Sequence, residues 1–233
     1  MKGYIFDFGG TLDTAGTHWG KMLWHAYERQ NIPIEEEDFR NAYVYAEREL
    51  ERKAIIRPES SFRETLEAKI ELEFEYLSEQ GLLEQTGFSL MSMQTAMLND
   101  LYRKVKLITA ESRTVLLSLK EKYPLVLVSN FYGNMNTVLV EFELDNLFDR
   151  VVESAVVGIR KPDLRIFQLG IDALALKSEN ITVVGDSYSN DILPGHQLGC
   201  RTIWLKGETW KNEKDDPSAA DLIISSLNDL TSE

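Results

Sequence analysis

The chain has 233 residues, a formal net charge of −13, 43% hydrophobic residues and 27% charged residues. This length suits one large domain or a domain with an insertion, and the composition is that of an ordinary globular protein. Nucleic acids and anionic membranes attract clustered lysines and arginines, so the acidic balance argues against both classes of partner.

Two further features concern the surroundings of the protein. The sequence has no apolar run long enough to span a bilayer and no basic-then-apolar leader at its start. Its single cysteine, Cys200, excludes an internal disulfide and a cysteine-based zinc site. We therefore expect a soluble, cytoplasmic protein that is a monomer or a homodimer.

The first predicted strand ends in an aspartate. The apolar residues 4–6 lead into Asp7, and Gly9, Gly10 and Thr11 follow it. Glycines end such a strand, and ligands of open α/β sheets bind beyond the carboxyl ends of the strands. Taken alone, the segment is equally compatible with a solvated aspartate in an ordinary glycine turn.

Residues 15–105 contain helical patterns and no strand signal. Apolar residues recur at helical spacing in four stretches, residues 19–27, 39–50, 61–80 and 89–104. Ser61 and Glu64 fit a capping box at the start of the third helix, and Gly81 fits its end. We therefore predict an all-helical insertion directly after the first strand.

From residue 110 onward, helices alternate with strands. The predicted helices span residues 112–123, 134–147, 162–176 and 190–198. The predicted strands span residues 125–128, 151–153, 181–184, 202–205 and 222–224. This alternation predicts an α/β fold with a doubly wound parallel sheet. Pro162 is expected at the first position of its helix, and the charged residues 211–216 are expected to form a solvated loop.

Polar residues stand just beyond several of these strands. They are Asp7, Ser129, Lys161, Asp186 and Asp191. Because parallel strands end at the same edge of a sheet, these groups can converge there. A turn, a helix cap or a surface lysine explains each residue singly. Their combination at one edge favours a functional site.

Four motifs carry a resemblance to a known family. They are Asp7-Phe8-Gly9-Gly10-Thr11, Val128-Ser129-Asn130, Arg160-Lys161-Pro162-Asp163 and Gly185-Asp186-Ser187-Tyr188-Ser189-Asn190-Asp191. In this order they resemble the motifs of the haloacid dehalogenase superfamily of aspartate-nucleophile hydrolases, and the helical insertion is similar to that family's type 1 cap. The resemblance implies a Rossmann-like core of residues 1–14 and 106–233 and a helical cap of residues 15–105.

The resemblance also implies a chemistry, a Mg²⁺-dependent phosphatase that forms an aspartyl-phosphate on Asp7. Its substrate would be a small phosphorylated metabolite, either an ester or an anhydride. The implied metal ligands are Asp7, Asp186, Asp191 and the backbone carbonyl of Gly9. The implied phosphoryl-binding groups are Thr11, Ser129, Asn130 and Lys161. Ser129 and Lys161 would also take part in catalysis alongside Asp7.

Gly9 departs from the family pattern. Most phosphatases of the family carry a second aspartate there, two residues after the nucleophile, as general acid and base. Two alternatives therefore stay open, a metal-independent 2-haloacid dehalogenase and a degenerate phosphatase that acts as a binding protein. Asp13 or His18 could replace the missing group through a water molecule.

Substrate choice would fall to the cap and the loop that leads into it. The candidates by position are His18, Trp19, Lys21, Arg57 and Tyr132, although packing or solvation explains each of them as well. We also expect the cap to close over the site about hinge loops near Asp13 and Lys106, because a lid excludes water from the reaction.

Overall fold

A six-stranded sheet forms the centre of the computed structural model, which describes residues 2–83, 87–210 and 217–231. All neighbouring strands pair in parallel, in the order β3-β2-β1-β4-β5-β6. The strands are β1 (Gly3–Phe6), β2 (Leu125–Ser129), β3 (Arg150–Glu153), β4 (Ile181–Gly185), β5 (Arg201–Leu205) and β6 (Leu222–Ile224). The predicted α/β class is therefore confirmed. The predicted loop at residues 211–216 lies outside the described residues.

The α-helices make up most of the remaining regular structure. They are α1 (Trp19–Arg29), α2 (Glu36–Lys53), α3 (Phe62–Glu79), α4 (Gly87–Lys120), α5 (Met135–Glu141), α6 (Ser154–Val157), α7 (Leu164–Leu174) and α8 (Leu193–Gln197). Between β1 and β2 the described residues form helices and no strand, as predicted. The capping box of Ser61 and Glu64 is present at the start of α3. None of the helices described is both long and apolar enough to cross a membrane.

The sheet is buried on both faces. One face packs against α7, and Ile5, Val128 and Phe167 share that cluster. The opposite face packs against the second half of α4, and Phe6 and Leu116 belong to that cluster, which continues into the cap helices. Burial on both faces explains why the strands read as unbroken apolar runs.

Helix α4 differs from the prediction. The expected helices at residues 89–104 and 112–123 form one continuous helix, Gly87–Lys120. The physical reason is the absence of glycine or proline between residues 104 and 112, so nothing interrupts the backbone hydrogen bonds. The expected hinge loop near Lys106 is therefore wrong. The boundary between residues 105 and 106 falls inside α4, and the division into core and cap stays a prediction.

Three other helices start or end differently. Pro162 does not open α7, because Asp163 caps the helix by accepting from the backbone N–H of Arg165. The Lys161–Pro162 peptide bond is cis. The predicted helix 190–198 is a wide π-helical turn, Tyr188–Ile192, followed by α8. Helix α5 ends at Glu141, six residues before the predicted end.

The cap core contains a buried acid, Glu73 on α3, which has 0% exposure. Its Oε2 accepts a hydrogen bond of 3.2 Å from the Tyr27 hydroxyl, while its Oε1 has no partner among the described residues. Burial, reinforced by repulsion from Glu47, raises the pKa of the Glu73 carboxyl from 4.5 to about 8. The folded protein therefore keeps a proton that the unfolded chain releases.

We expect Glu73→Gln to flatten the pH dependence of stability. Because the folded pKa lies above the unfolded one, the free energy of unfolding of the wild type falls as pH rises from about 4.5 to about 8. The slope from this single group is about 1.4 kcal/mol per pH unit. Urea unfolding at pH 5 to 8 measures it, with Glu75→Gln on the exposed side of α3 as the control. Parallel profiles for Glu73→Gln and the wild type would refute the buried neutral carboxyl.

Candidate active site

The ends of β1 and β4 bring the predicted polar residues together. The backbone N–H of Asp7 donates to the Val184 carbonyl at 3.0 Å, which holds the two strand ends side by side. Lys161 Nζ lies 2.5 Å from Asp7 Oδ1 and 2.6 Å from Asp191 Oδ1. All three side chains are buried. The Lys161 ammonium thus bridges two carboxylates from opposite ends of the sequence.

Asn130 holds Lys161 in place. Its side-chain Oδ1 accepts from the Lys161 backbone N–H at 2.9 Å, and its Nδ2 donates to the Lys161 carbonyl at 3.2 Å. Asn130 follows β2, so the end of this strand positions a lysine that stands 31 residues later. The sequence assigned Asn130 only a backbone contact with the phosphoryl group and missed this positioning role of its side chain.

Asp186 and Asp191 are oriented by hydrogen bonds from neighbouring groups. The Thr11 hydroxyl accepts from the Asp186 backbone N–H at 3.0 Å and lies 3.0 Å from Asp186 Oδ1 and 3.3 Å from Asp7 Oδ2. Asp191 Oδ2 accepts from the Ser187 backbone N–H at 3.1 Å. Thr11 is fully buried, and its expected contact with substrate stays a prediction.

Two glycines permit the close approach of these carboxylates. A Cβ at Gly10, whose φ is +100°, would stand 2.3 Å from Asp186 Oδ2. A Cβ at Gly185 would stand 2.4 Å from the Asp191 Cβ. Any larger residue at either position would displace an aspartate, so the glycines of the first and fourth motifs shape the site directly.

The carboxylates fit a divalent cation. One oxygen from each of Asp7, Asp186 and Asp191 lies within 4.8 Å of the other two. Burial and repulsion from its neighbours raise the pKa of Asp186, and burial raises that of Asp191 to about 6. Lys161 pairs with Asp7 and Asp191, and a divalent cation would relieve the remaining repulsion among the three acids. An all-oxygen donor set is what Mg²⁺ prefers.

Ser129 is positioned at the same edge, at the end of β2. Its side chain is 1% exposed, and its hydroxyl has no hydrogen-bond partner in the part of the chain described. Buried hydroxyl groups are almost always paired, so this one has a donor free for a bound group. The predicted contact of Ser129 with the phosphoryl group would pair this free hydroxyl donor.

Asp13 and His18 have their acceptor atoms engaged. Asp13, fully buried, accepts from the Gly10 backbone N–H at 2.7 Å and from Trp19 Nε1 at 2.8 Å. His18 Nδ1 accepts from the Gly20 backbone N–H at 3.0 Å and caps α1, and burial lowers the pKa of the imidazole. The neutral ring then carries its proton on Nε2 and has no free acceptor nitrogen. This arrangement counts against His18 as a general base. Asp13 keeps acceptor capacity on both oxygens, and burial raises the pKa of its carboxyl to about 7.

A cavity of about 270 Å³ opens on the carboxylate cluster. The core contributes Asp7, Gly9, Asn130, Arg160, Lys161, Asp186 and Asp191, and the cap side contributes His18, Trp19, Tyr43, Glu47 and Lys69. Three of the five cap candidates, His18, Trp19 and Tyr132, line it. Lys21 instead pairs with Glu36 at 2.7 Å, and Arg57 is exposed. The sequence analysis missed Tyr43, Glu47 and Lys69.

Comparison with known proteins agrees with the motifs. A glyceraldehyde 3-phosphate phosphatase of Methanocaldococcus jannaschii is 34% identical over 92 residues. That stretch spans 40% of this chain and 40% of the length of the relative.

Solved structures match nearly the whole fold. The HAD-hydrolase YfnB from Bacillus subtilis, bound to magnesium, is 18% identical with a TM-score of 0.60, over 98% of this chain and 96% of that one. A dehalogenase with an intermediate complex is 17% identical with a TM-score of 0.62, over 99% and 95%. The family model described as haloacid dehalogenase-like hydrolase matches residues 1–199. The chain therefore belongs to the haloacid dehalogenase-like hydrolase family.

Proposed function

We propose that this hydrolase is a Mg²⁺-dependent phosphatase of small phosphorylated metabolites. The observation that carries the proposal is the buried Lys161 ammonium, 2.5 Å from Asp7 and 2.6 Å from Asp191, with Asp186 completing the carboxylate cluster. A cation held beside a nucleophilic carboxylate attracts a phosphoryl group that the carboxylates alone would repel. The phosphatase named among the relatives supports the same reading.

The proposed reaction proceeds in two displacements on phosphorus. An Asp7 carboxylate oxygen attacks phosphorus, the bond to the leaving oxygen breaks, and that oxygen takes a proton from water. Water then attacks the aspartyl-phosphate, which releases inorganic phosphate, regenerates the Asp7 carboxylate and gives a proton to solvent. Lys161 and the Ser129 hydroxyl would hold the phosphoryl oxygens.

Mg²⁺ would be held by Asp7, Asp186, Asp191 and the Gly9 carbonyl. When bound, it supplies Lewis-acid stabilisation of the phosphoryl charge. The first test is a screen of sugar phosphates, nucleotides, acyl phosphates and aryl phosphates with added Mg²⁺. Release of inorganic phosphate supports the proposal. Tight phosphate binding without turnover of any compound in the panel would favour a binding protein instead.

The substrate class follows further from Gly9, which offers no proton donor. An alkoxide that leaves without a proton is a strong base, whereas an acyl, aryl or anomeric oxygen leaves as a weaker one. General acid help is typically worth about 10²–10⁴ in rate, so its absence costs least for good leaving groups.

A leaving-group series tests this idea. We expect log(kcat/KM) of the wild type to fall steeply as the pKa of the departing alcohol rises. A Cβ at Gly9 would stand 3.9 Å from the Trp19 ring, in ordinary contact, so Gly9→Asp fits and should flatten the slope. Gly9→Asn serves as the control, because its side chain has the shape of aspartate but cannot act as a general acid. If the chemical step limits the rate and log(kcat/KM) of the wild type does not change with the pKa of the departing alcohol, another residue supplies the proton.

A further inference from the structure

An ion pair inside aromatic walls faces the carboxylate cluster across the cavity. Lys69 on α3 binds Glu47 on α2, and Glu47 Oε2 accepts from the Tyr132 hydroxyl at 2.8 Å. Lys69 Nζ lies 5.6 Å from the ring centroids of Tyr43 and Tyr132 and 5.8 Å from that of Trp19. We call these five residues the cap box. They line the same cavity as Asp7 and Lys161.

The cap box is electrically balanced. The side chain of Lys69 is 9% exposed, and Glu47 is its partner. Burial opposes ionisation of Glu47, but Lys69 and Tyr132 hold the pKa of its carboxyl below the usual range. The same contact with Glu47 raises the pKa of Lys69 despite its burial. Both groups are therefore charged at neutral pH, and their charges cancel.

The other charged or titratable groups on this side add no free positive charge. Burial lowers the pKa of His18, so its ring is neutral at pH 7. Arg160, on the core side of the rim, is half exposed and lies 3.7 Å from Glu51. Its attraction for a ligand is screened by water and by that partner. An anionic group entering the cap box would therefore meet Glu47, and the described residues of this side offer no unpaired buried cation to receive it.

We propose that the cap box selects phosphate compounds whose leaving group bears uncharged hydroxyl or carbonyl groups and rejects those that bear a carboxylate. A hydroxyl group would accept from a free N–H of Lys69 and donate to Glu47 without changing the charge of the box. A carboxylate would place a second negative charge beside Glu47 in a mostly buried site. The inference rests on the proposed function, since it concerns the leaving group of the same phosphate compound.

The aromatic walls and the cavity size agree with a compact polyhydroxy ligand. Trp19, Tyr43 and Tyr132 present apolar ring surface to the C–H groups of such a ligand, while Lys69 and Glu47 address its oxygens. The cavity of about 270 Å³ has room for a small phosphorylated metabolite. An anomeric phosphate of a small sugar would fit the cap box. It would also have the good leaving group that the absence of a proton donor at Gly9 favours.

The test uses two compounds that differ at one carbon. Glycerol 3-phosphate and 3-phosphoglycerate share a three-carbon chain and a primary phosphate, and one carries a hydroxymethyl group where the other carries a carboxylate. We expect wild-type kcat/KM to favour glycerol 3-phosphate by at least about tenfold, because like charges in a buried site repel strongly. Calorimetric binding to Asp7→Asn with Mg²⁺ should show the same preference without turnover.

A substitution of Glu47 tests whether the cap box causes the discrimination between the two compounds. Glu47→Gln leaves Lys69 unpaired and should shift selectivity toward 3-phosphoglycerate by at least about tenfold. Glu49→Gln makes the same chemical change on the same helix at a residue that pairs with Arg52 and Lys53, and should leave selectivity unchanged. Equal selectivity in the two variants would overturn the proposal, as would a wild type that prefers 3-phosphoglycerate or does not discriminate.

The two proposals fail in different ways. If the wild type hydrolyses no phosphate compound, the phosphatase proposal fails, and the binding preference of Asp7→Asn still decides the cap box. If both compounds are hydrolysed equally well, the phosphatase proposal stands and the cap box proposal is overturned. If Asp7→Asn binds neither compound, the cap box proposal is overturned as well. Should Glu47→Gln fail to fold, the wild-type ratio decides.

Discussion

Asp7→Asn is expected to abolish turnover while leaving the fold intact. The amide cannot form an aspartyl-phosphate, so kcat should fall by at least about 10⁴-fold. The Asn side chain keeps an oxygen that can accept from Lys161, now 2.5 Å from Asp7 Oδ1, so the thermal unfolding temperature should change little. Phosphate release and circular dichroism measure the two effects.

The matched control is Asp172→Asn, which makes the same change on the exposed side of α7, where Gln168 is its partner. This variant should keep wild-type activity. Substantial residual turnover in a folded Asp7→Asn protein would remove Asp7 from the role of nucleophile.

Removal of the metal is the second change with a large expected effect. Excess EDTA should abolish phosphate release and added Mg²⁺ should restore it, because Lys161 balances the three clustered carboxylates only in part and they repel a phosphoryl group without the divalent cation. Asp186→Ala should weaken Mg²⁺ binding, measured by calorimetry, by at least about tenfold. Asp172→Asn again serves as the control.

The metal experiment also separates the proposed activity from its rival. Full activity in EDTA, with halide released from 2-haloacids, would favour the metal-independent dehalogenase. Unchanged Mg²⁺ affinity in Asp186→Ala would remove that residue from the metal site.

The sequence predicts the sheet and the edge where its polar residues meet, for a physical reason. Strands buried on both faces appear as short apolar runs, and the first polar residue beyond each run marks the edge. Asp7, Ser129 and Asp186 were found in this way, and the structure places them at the ends of β1, β2 and β4. The sequence pattern predicts the position of these residues in the fold because neighbouring parallel strands end at the same edge of the sheet.

The positioning contacts could not be read from local pattern. Asn130 clamps the backbone of Lys161 from 31 residues away, and no periodicity links the two. Helix α7 likewise begins at Leu164 behind the Asp163 cap, whereas the sequence predicts Pro162 at its first position. Such contacts depend on tertiary packing, which a single sequence reports only indirectly.

The sequence of α3 contains a signal for the buried charges near the cap box. Lys69 and Glu73 lie on the same side of α3 as Leu66, Ile70 and the other apolar residues, so two charged side chains interrupt a buried stripe. Buried charges are rare unless they are paired or protonated. The structure provides both cases, since Lys69 pairs with Glu47 and burial keeps Glu73 protonated at neutral pH.

Chemical trapping of the covalent intermediate tests whether Asp7 is the nucleophile. The enzyme is quenched in acid during turnover of an aryl phosphate with Mg²⁺, reduced with borohydride, digested and analysed by peptide mass spectrometry. Reduction converts an aspartyl-phosphate to homoserine, so the account predicts homoserine at position 7 in the wild type and none in an unreacted sample. An enzyme that releases phosphate under these conditions with Asp7 unmodified, or with the change at another aspartate, would contradict it.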